Sequence, residues 1–570
     1  MTRRLLPAVL VAMAALLAGC ATTIAPLKSP VSRSPAPAPI DRDALLYHVL
    51  VGDIAGQQGH LGEAARAFGK AAEESGDLDL MRRSALLSLY ARRYGQARQQ
   101  AHLWVMADPK STAALEALAA ADLGLRKFAL AEHEFEQALA LGTARDGAAG
   151  RAFAFEHIAT LLLARRPSQP VLTVMHGLSL RYPKDAVGYY TLASLARQYS
   201  HPRQALAAIN QALTLKPRWE DAAVLKARIL WVQTPLLALH FSQQFLRANP
   251  DATRLRLDYA RRLVALDYWH QALAQFRMIA RAVPNDPQVL YAAGLLALRT
   301  NEPLLARRYF KRSLVFAPGD AHTLFYLGEI AEHERRFTRA RYYYDRVGFP
   351  YRFAAQLRKA LIPLKESHPQ AAWQALARVT AHTATEDVIL ALARNQVLVA
   401  LHRYAQALQV LVPAIAKTKH QSGLLYARAL TEEKLGQVVA AEADLEALLS
   451  HHPHDPMILN ALGYTYINHG QHEKRGLTLV RRALALDPGN PYILDSLGWA
   501  YYRLGQPKLA APYLRKAFAR SHNATIAAHL GAVLWALGHH RAALRIWRAA
   551  SAKAPHNATL KAELTKHPSS

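Results

Sequence analysis

Histidines and carboxylates occur together in several arrangements that could do chemistry. The stretch "HHPHD" at residues 451–455 places three imidazoles beside a carboxylate, a ligand set that transition metals accept. We interpret it instead as a polar connector between helices. The pairs His133-Glu134, His333-Glu334 and His472-Glu473 each lack the second histidine of an HExxH zinc motif. GxSxG, GxxxxGK[ST] and GxGxxG patterns are absent too, so the sequence predicts no enzyme activity, no cofactor and no metal site.

A single cysteine, Cys20, offers a different kind of chemistry. It follows two arginines near the start, an apolar run and small residues, the three-part layout of a secretory signal. The order Leu17-Ala18-Gly19-Cys20 looks like a bacterial lipobox, which implies cleavage before Cys20 and a lipid on its thiol. Alanine rather than aspartate follows, which in such lipoproteins usually permits export to the outer membrane. We therefore expect residues 1–19 to be a signal peptide, and the mature chain to be anchored on the periplasmic side of that membrane.

The residues that follow the lipobox are rich in proline and lack a helical period. Segment 20–41 includes "SRSPAPAPI", and such composition favours an extended tether. The whole chain carries 70 basic and 42 acidic residues, a formal net charge of +28. This charge suits acidic partners, although export argues against nucleic acid. A dispersed basic surface that serves only solubility, or tolerance of a low external pH, is the other interpretation.

From residue 42 onward the chain repeats every 34 residues. Each unit has a small residue early, an alanine later, a large residue four positions after it and, in two units, a proline at its end. These are Ala260, Gly294 and Gly328; Ala272, Ala306 and Ala340; Phe276, Phe310 and Tyr344; Pro284 and Pro318. The period and the residue types resemble the tetratricopeptide repeat (TPR). The resemblance implies an all-α TPR solenoid of roughly 15 helix-turn-helix units in a right-handed superhelix. We expect the large residue to fill the space toward the next unit.

The regularity of the repeat divides the chain. An N-terminal array is expected over 42–348 and a C-terminal array over 387–557, with a tail at 558–570. Prolines interrupt the rhythm within 349–386, where we expect an irregular helical bend.

The TPR resemblance also indicates which residues face the concave groove. Positions 2, 5, 9 and 12 of the first helix of each unit line it, and in the C-terminal units these include several aromatic and polar residues. The expected groove residues are Asn460, Tyr464, Asp495, Trp499, Tyr502 and Trp535. Aromatic ladders edged by polar groups suit a peptide or protein partner. Packing between units is the alternative role for each aromatic residue.

The first helix is a second candidate binding surface. It is apolar at Leu45, Leu46, Val49, Leu50 and Ile54, and the first four of these are the expected docking residues. An end unit of a repeat array needs a polar outer face for solubility, so a broad apolar face here suggests a docking site. The same face could simply pack on the second helix.

Three stretches resemble the LbcA-like outer-membrane lipoproteins, which are TPR adaptors of carboxyl-terminal processing proteases. They are "LLYHVLVGDIAGQQGHLGEAARAF", "RRSALLSLYARRYGQARQQAHLWVMADPKS" and "ILNALGYTYINHGQHEKRGLTLVRRALALDPGNPYILDSLGWAYYRLG". The resemblance implies a non-enzymatic scaffold whose N-terminal helices dock a periplasmic protease and whose superhelix captures its substrates, peptidoglycan hydrolases. The first-helix residues would then face the protease and the groove residues the substrates.

Two other functions stay open. Similar TPR lipoproteins act as assembly factors for secretion, pilus or exopolysaccharide-export machines. A surface protein that binds peptidoglycan or lipopolysaccharide through its positive charge is a third possibility, and its binding would weaken with salt.

Overall fold

The computed structural model describes residues 41–163, 169–418, 421–470, 472–554 and 557–567. The expected signal peptide, Cys20 and the proline-rich tether before Asp41 lie outside these residues. The described part of the chain consists of helices, turns and short connections and contains no strand, so the all-α prediction is confirmed. Among these helices none is both long enough and apolar enough to cross a membrane.

The chain forms two compact units, of which the first ends at Tyr259 and the second begins at Ala260. The helices that begin in the first unit are α1 (Arg42–Gln57), α2 (Leu61–Ser75), α3 (Leu78–Tyr90), α4 (Tyr94–Ala107), α5 (Thr112–Gly124), α6 (Phe128–Leu163), α7 (Gln169–Arg181), α8 (Ala186–Gln198), α9 (Pro202–Leu215), α10 (Glu220–Gln233), α11 (Pro235–Ala248) and α12 (Thr253–Ala265). The long α6 is two helical segments, because the backbone at Asp146 and Gly147 is not helical.

The second unit continues with the same alternation. Its helices are α13 (Trp269–Ala282), α14 (Pro287–Arg299), α15 (Pro303–Phe316), α16 (Ala321–His333), α17 (Phe337–Tyr344), α18 (Arg352–Lys365), α19 (Pro369–Leu376), α20 (Ala384–Ala400), α21 (Tyr404–Thr418), α22 (Ser422–Lys434), α23 (Val438–His451), α24 (Pro456–Asn468), α25 (Glu473–Leu486), α26 (Pro491–Arg503), α27 (Pro507–Arg520), α28 (Ala524–Ala536), α29 (His540–Lys553) and α30 (Ala558–Lys566). With α6 divided, the described helices make fifteen pairs and one final helix, as the repeat length predicts.

Each pair has a first helix, here called helix A, and a second, helix B. Polar residues cap many A helices: Asp286, Asp455 and Asn490 each accept a hydrogen bond from a backbone N–H in the first turn. Many A helices end at a residue with positive φ, such as Gly505, which turns the chain toward helix B. Caps and turns at a spacing near 34 residues therefore set the period locally.

Close approach of the two helices of a pair depends on the small residue of helix A. A Cβ atom added to Gly294 would lie 2.5 Å from the ring of Phe310, and one added to Gly531 would lie 2.0 Å from Trp547. The large residue thus packs on the small residue of its own unit. This differs from the expectation that it fills the space toward the next unit, although Phe310 also stacks on Tyr326 of the following helix A.

Successive A helices of the second unit contact one another, for example α24 with α26 and α26 with α28. Successive B helices are farther apart and touch mainly the A helices on either side. Within the second unit, A helices therefore form the inner face of the curved stack and B helices its outer face.

Segment 349–386, expected to be a bend, contains α18 and the short α19. These two helices pack against each other, and α18 also contacts α16 and α20. The segment expected to be a tail contains α30, which packs on α28.

Candidate protein-binding surfaces

Three consecutive A helices, α24, α26 and α28, place the expected C-terminal groove residues on one face. Asn460 and Tyr464 are one turn apart on α24, and Asp495 and Trp499 are one turn apart on α26. Residues four apart on a helix share a face, so each pair presents a polar group beside an aromatic ring. With Tyr502, which contacts Trp499 on α26, the structure thus brings together five of the six residues expected in the groove.

A buried histidine connects α26 to α28. His529 is 2% exposed, and its Nδ1 lies 3.0 Å and 2.9 Å from the two carboxylate oxygens of Asp495, which is itself buried. Sequence analysis missed His529. The sequence does contain an indication of it, since His529 follows Asp495 by 34 residues, the length of one repeat. Positions were counted from Gly498 and Gly531, which are one residue closer together, and this count placed Ala528 opposite Asp495.

Aromatic rings surround this imidazole. The Trp499 ring stacks on His529 with centroids 4.0 Å apart and planes 20° apart, and Tyr502 lies 5.2 Å from Trp499. The Tyr464 ring lies 6.4 Å from His529. Burial, then the nearby carboxylates of Glu433 and Asp495, raise the pKa of Tyr464, so it keeps its proton and can donate a hydrogen bond at all physiological pH.

Two buried polar atoms of this face have no hydrogen-bond partner among the residues that the structure describes: the Oδ1 acceptor of Asn460 and the Nε1–H donor of Trp499. Asn460 is 9% exposed. A buried polar atom without a partner costs about 1 to 3 kcal/mol. One acceptor and one donor on neighbouring helices match the N–H and C=O groups of a polypeptide backbone. We call Asn460, Tyr464, Asp495, Trp499 and His529 the inner cluster.

Trp535, the last expected groove residue, has a different environment. It stacks on His567 at 4.4 Å and contacts His540 at 4.2 Å, while its ring lies 5.9 Å from Trp547. The final helix α30 inserts Leu560, which is 1% exposed, into the same core. The C-terminal segment therefore covers Trp535, because α30 ends the stack where another helix A would otherwise pack.

In the middle repeats, Glu329 and Glu332 occupy the positions that face the groove, and they form a network of ion pairs between α16 and α18. The buried Glu332 accepts hydrogen bonds from Tyr344 Oη at 2.6 Å and Lys365 Nζ at 2.6 Å, and Arg358 bridges Glu332 and Glu329. Burial alone would raise the pKa of Glu332, but the hydrogen bonds from Lys365 and Tyr344 and the charge of Arg358 outweigh it, so the pKa lies below its usual range. We assign this network to packing.

The first helix has two distinct apolar sides. Leu45 and Val49 are half-buried. Leu46, Leu50 and Ile54 are 58%, 51% and 55% exposed and follow one another at intervals of four residues. These three residues, here called the apolar stripe, form one continuous line on the helix. Of the four expected docking residues the structure leaves Leu46 and Leu50 exposed, and Ile54 of the same apolar face is exposed beside them.

The "HHPHD" segment joins α23 to α24. Asp455 caps α24 and accepts hydrogen bonds from the backbone N–H groups of Met457 and Ile458. Among the residues that the structure describes, no group of three or more His, Cys, Asp or Glu side chains is arranged to hold a metal ion.

Some of the repeats are similar to those of known proteins. A family described as tetratricopeptide repeat matches residues 257–321, 291–352 and 426–491, and a second one with that description matches 492–521. The TPR repeat-containing protein PA4667 of Pseudomonas aeruginosa is 28% identical over 208 residues, 36% of this chain. The match spans 35% of that relative, about a third of its length.

Several solved structures are similar in part. The Cut9–Hcn1 hetero-tetramer of the APC/C is 15% identical over 86% of this chain and 96% of that one, with a TM-score of 0.33. TTC0263 of Thermus thermophilus is 22% identical over 32% and 98%, with a TM-score of 0.29. PilF of Pseudomonas aeruginosa is 20% identical over 35% and 90%, with a TM-score of 0.26.

Proposed function

We propose that the chain, whose repeats match the tetratricopeptide-repeat family over residues 257–352 and 426–521, is a non-enzymatic adaptor that binds other proteins. Its N-terminal helices would bind a periplasmic carboxyl-terminal processing protease, and its C-terminal A helices would bind the protease's substrates, the peptidoglycan hydrolases. A lipid on Cys20 would hold the adaptor at the outer membrane. The finer identity of both partners rests on the sequence resemblance to LbcA-like lipoproteins.

The observation that carries the proposal is the presence of two chemically different surfaces in separate units. The apolar stripe belongs to the first unit, and the inner cluster to the second. A stripe of leucine and isoleucine suits a folded partner with a hydrophobic patch of its own. The inner cluster, with its unpaired donor and acceptor, suits a polypeptide segment whose backbone can satisfy both.

An adaptor of this kind needs no catalytic group of its own. When both partners bind one scaffold, the encounter of protease and substrate becomes intramolecular, and its effective concentration reaches the millimolar range for short connections. Membrane anchorage would add to this by confining all three proteins to one surface. Proteolysis would then depend on the amount of adaptor as well as on the protease.

The test is an affinity pull-down from detergent-solubilised membranes with the tagged, lipidated chain. We expect a carboxyl-terminal processing protease among the recovered proteins, and peptidoglycan hydrolases enriched when the nucleophile of that protease is removed. Recovery of secretin, pilus or polymer-export components in their place would overturn the proposal and support an assembly factor.

A matched pair of variants tests the docking role of the apolar stripe. Leu46→Ser with Leu50→Ser removes two exposed leucines from α1, and Leu236→Ser with Leu237→Ser removes two from α11, which are 64% and 54% exposed. We expect the first pair to lose the protease and the second to retain it. Equal loss in both variants would show that exposed leucines bind without specificity.

A further inference from the structure

Several B helices of the second unit are strongly basic. Six of its B helices, α13, α15, α17, α25, α27 and α29, contain twenty lysines and arginines and a single acidic residue, Glu473. The carboxylates Glu329, Glu332 and Asp495 lie on A helices, and one B helix, α23, carries three more, Glu442, Asp444 and Glu446. Because B helices form the outer face, these six helices make their part of that face strongly basic.

The first three of these helices, α13, α15 and α17, carry eight of the twenty cations. Arg307 and Arg341 pair with Glu334 and Glu366 of neighbouring helix ends. Six other side chains are exposed and make no ion pair with any described residue; they are Arg277, Arg281, Arg308, Lys311, Arg312 and Arg339. We call these six the outer basic face. Neither α13, α15 nor α17 contains an acidic residue that could compete with an external anion.

Exposed apolar side chains stand among these cations. Leu304, Val315 and Phe316 of α15 are 57%, 70% and 43% exposed, and Tyr342 of α17 is 56% exposed. On α15 the spacing places Leu304, three cations and Val315 along one side of the helix. The face thus combines cations with protruding apolar groups, and it does so on an outer surface rather than in a cleft.

We propose that the outer basic face binds an anionic phospholipid surface and lays the outer side of the second unit on the membrane. Phospholipid headgroups supply the negative charge, and the acyl boundary accepts single leucine, valine and phenylalanine side chains. An acidic protein would satisfy the cations but would leave these scattered apolar groups without a matching surface. The proposal does not depend on the adaptor function, because it needs only this chain and a membrane.

The inference is tested with the chain from Ala21 onward, which keeps every described helix and its packing partners and carries no lipid. Co-sedimentation is measured with vesicles of phosphatidylglycerol mixed with phosphatidylcholine, and with pure phosphatidylcholine. Each lysine or arginine near an anionic surface strengthens binding about fivefold. Arg308→Gln, Lys311→Gln and Arg312→Gln together should therefore lower the partition coefficient about a hundredfold, and pure phosphatidylcholine should bind weakly.

A control variant removes the same charge from the first unit, at the exposed residues Lys184, Arg203 and Arg218. Lys184→Gln, Arg203→Gln and Arg218→Gln together should retain most of the wild-type affinity. Equal loss in the two triple variants would overturn the proposal, because binding would then reflect total charge alone. Binding to immobilised poly-glutamate as tight as to the vesicles would also overturn it, and would assign the face to acidic polymers.

The apolar contribution has its own test. Leu304→Ser with Val315→Ser should weaken vesicle binding and make the remaining binding more sensitive to salt, since only screened charge would be left. If this variant sediments like the wild type at every salt concentration, the exposed apolar groups take no part and the phospholipid assignment fails.

Discussion

Substitutions of Trp499 can distinguish a role in partner binding from a role in packing between helices. Its ring stacks on the buried His529, while its Nε1–H has no acceptor in the described part of the chain. Trp499→Phe keeps an aromatic ring on His529 and removes only the unpaired donor with part of the ring. Trp499→Ala removes the stacking as well. The pair of variants therefore distinguishes the N–H group from the ring.

The expected magnitudes follow from the environment of the ring. In Trp499→Phe, the loss of part of a half-buried ring destabilises the fold, whereas the removal of an unpaired buried donor stabilises it by about 1 to 3 kcal/mol. Because these effects oppose each other, the free energy of unfolding should change by no more than about 1 kcal/mol. If Nε1 donates to a bound polypeptide, the same change should cost about 0.5 to 1.5 kcal/mol of affinity, roughly 2- to 10-fold in Kd. Trp499→Ala should cost about 2 kcal/mol or more, roughly 30-fold.

Both quantities are measurable on the same samples. Urea denaturation followed by circular dichroism gives stability, and biolayer interferometry against a hydrolase recovered in the pull-down gives affinity. Wild-type affinity in Trp499→Phe, together with affinity in Trp499→Ala that falls only as far as the folded fraction falls, would refute a binding role. Trp499 would then be a packing residue of α26.

Three further predictions concern the stability of the scaffold. Burial and the neighbouring Asp122 raise the pKa of Glu134 to about 8, so the stability of the wild type should fall as pH rises from about 4 to 8. Urea denaturation should find Glu134→Gln about 2 to 4 kcal/mol more stable than the wild type at pH 8 and equal to it below pH 4. Tyr344→Phe removes a donor to the buried Glu332 and should cost about 1 to 2 kcal/mol near pH 7. Because the pKa of Glu332 is depressed below its ordinary value of 4.5, this contribution is present above about pH 4.5 and fades as pH falls further, which the same titration checks. Arg126 has a φ of 63° at the end of α5, so Arg126→Gly should raise the thermal midpoint by relieving about 0.5 to 1 kcal/mol of strain, whereas Arg126→Ala should not.

Much of the fold was predictable because a repeat encodes its own period. The spacing of Gly294 and Gly328 predicts the pairing of helices, since a glycine where two helices cross leaves room for the ring of Phe310 or Tyr344. The expected number of units also agrees with the fifteen helix pairs of the described chain. These features are local and recur, so the sequence alone specifies them.

The surfaces were less predictable because they depend on pairing across units. His529 was missed because a repeat shorter by one residue moved it to a neighbouring position, and only the structure shows its ring between Asp495 and Trp499. The covering of Trp535 by the final helix could not be deduced from the repeat, since α30 has no partner helix of its own. On α1, composition predicts an apolar face, but only packing decides that Leu46 is open while Leu45 is half-buried.

The most direct test of the adaptor function compares two variants for two partners. Quantitative pull-downs are made with Leu46→Ser plus Leu50→Ser in the apolar stripe and with Trp499→Ala in the inner cluster, and protease and hydrolase are measured in each. If the two surfaces serve different partners, the stripe variant loses the protease and keeps the hydrolase, while the inner-cluster variant does the reverse. Loss of both partners in each variant, or of neither, would contradict an adaptor with two separate binding surfaces.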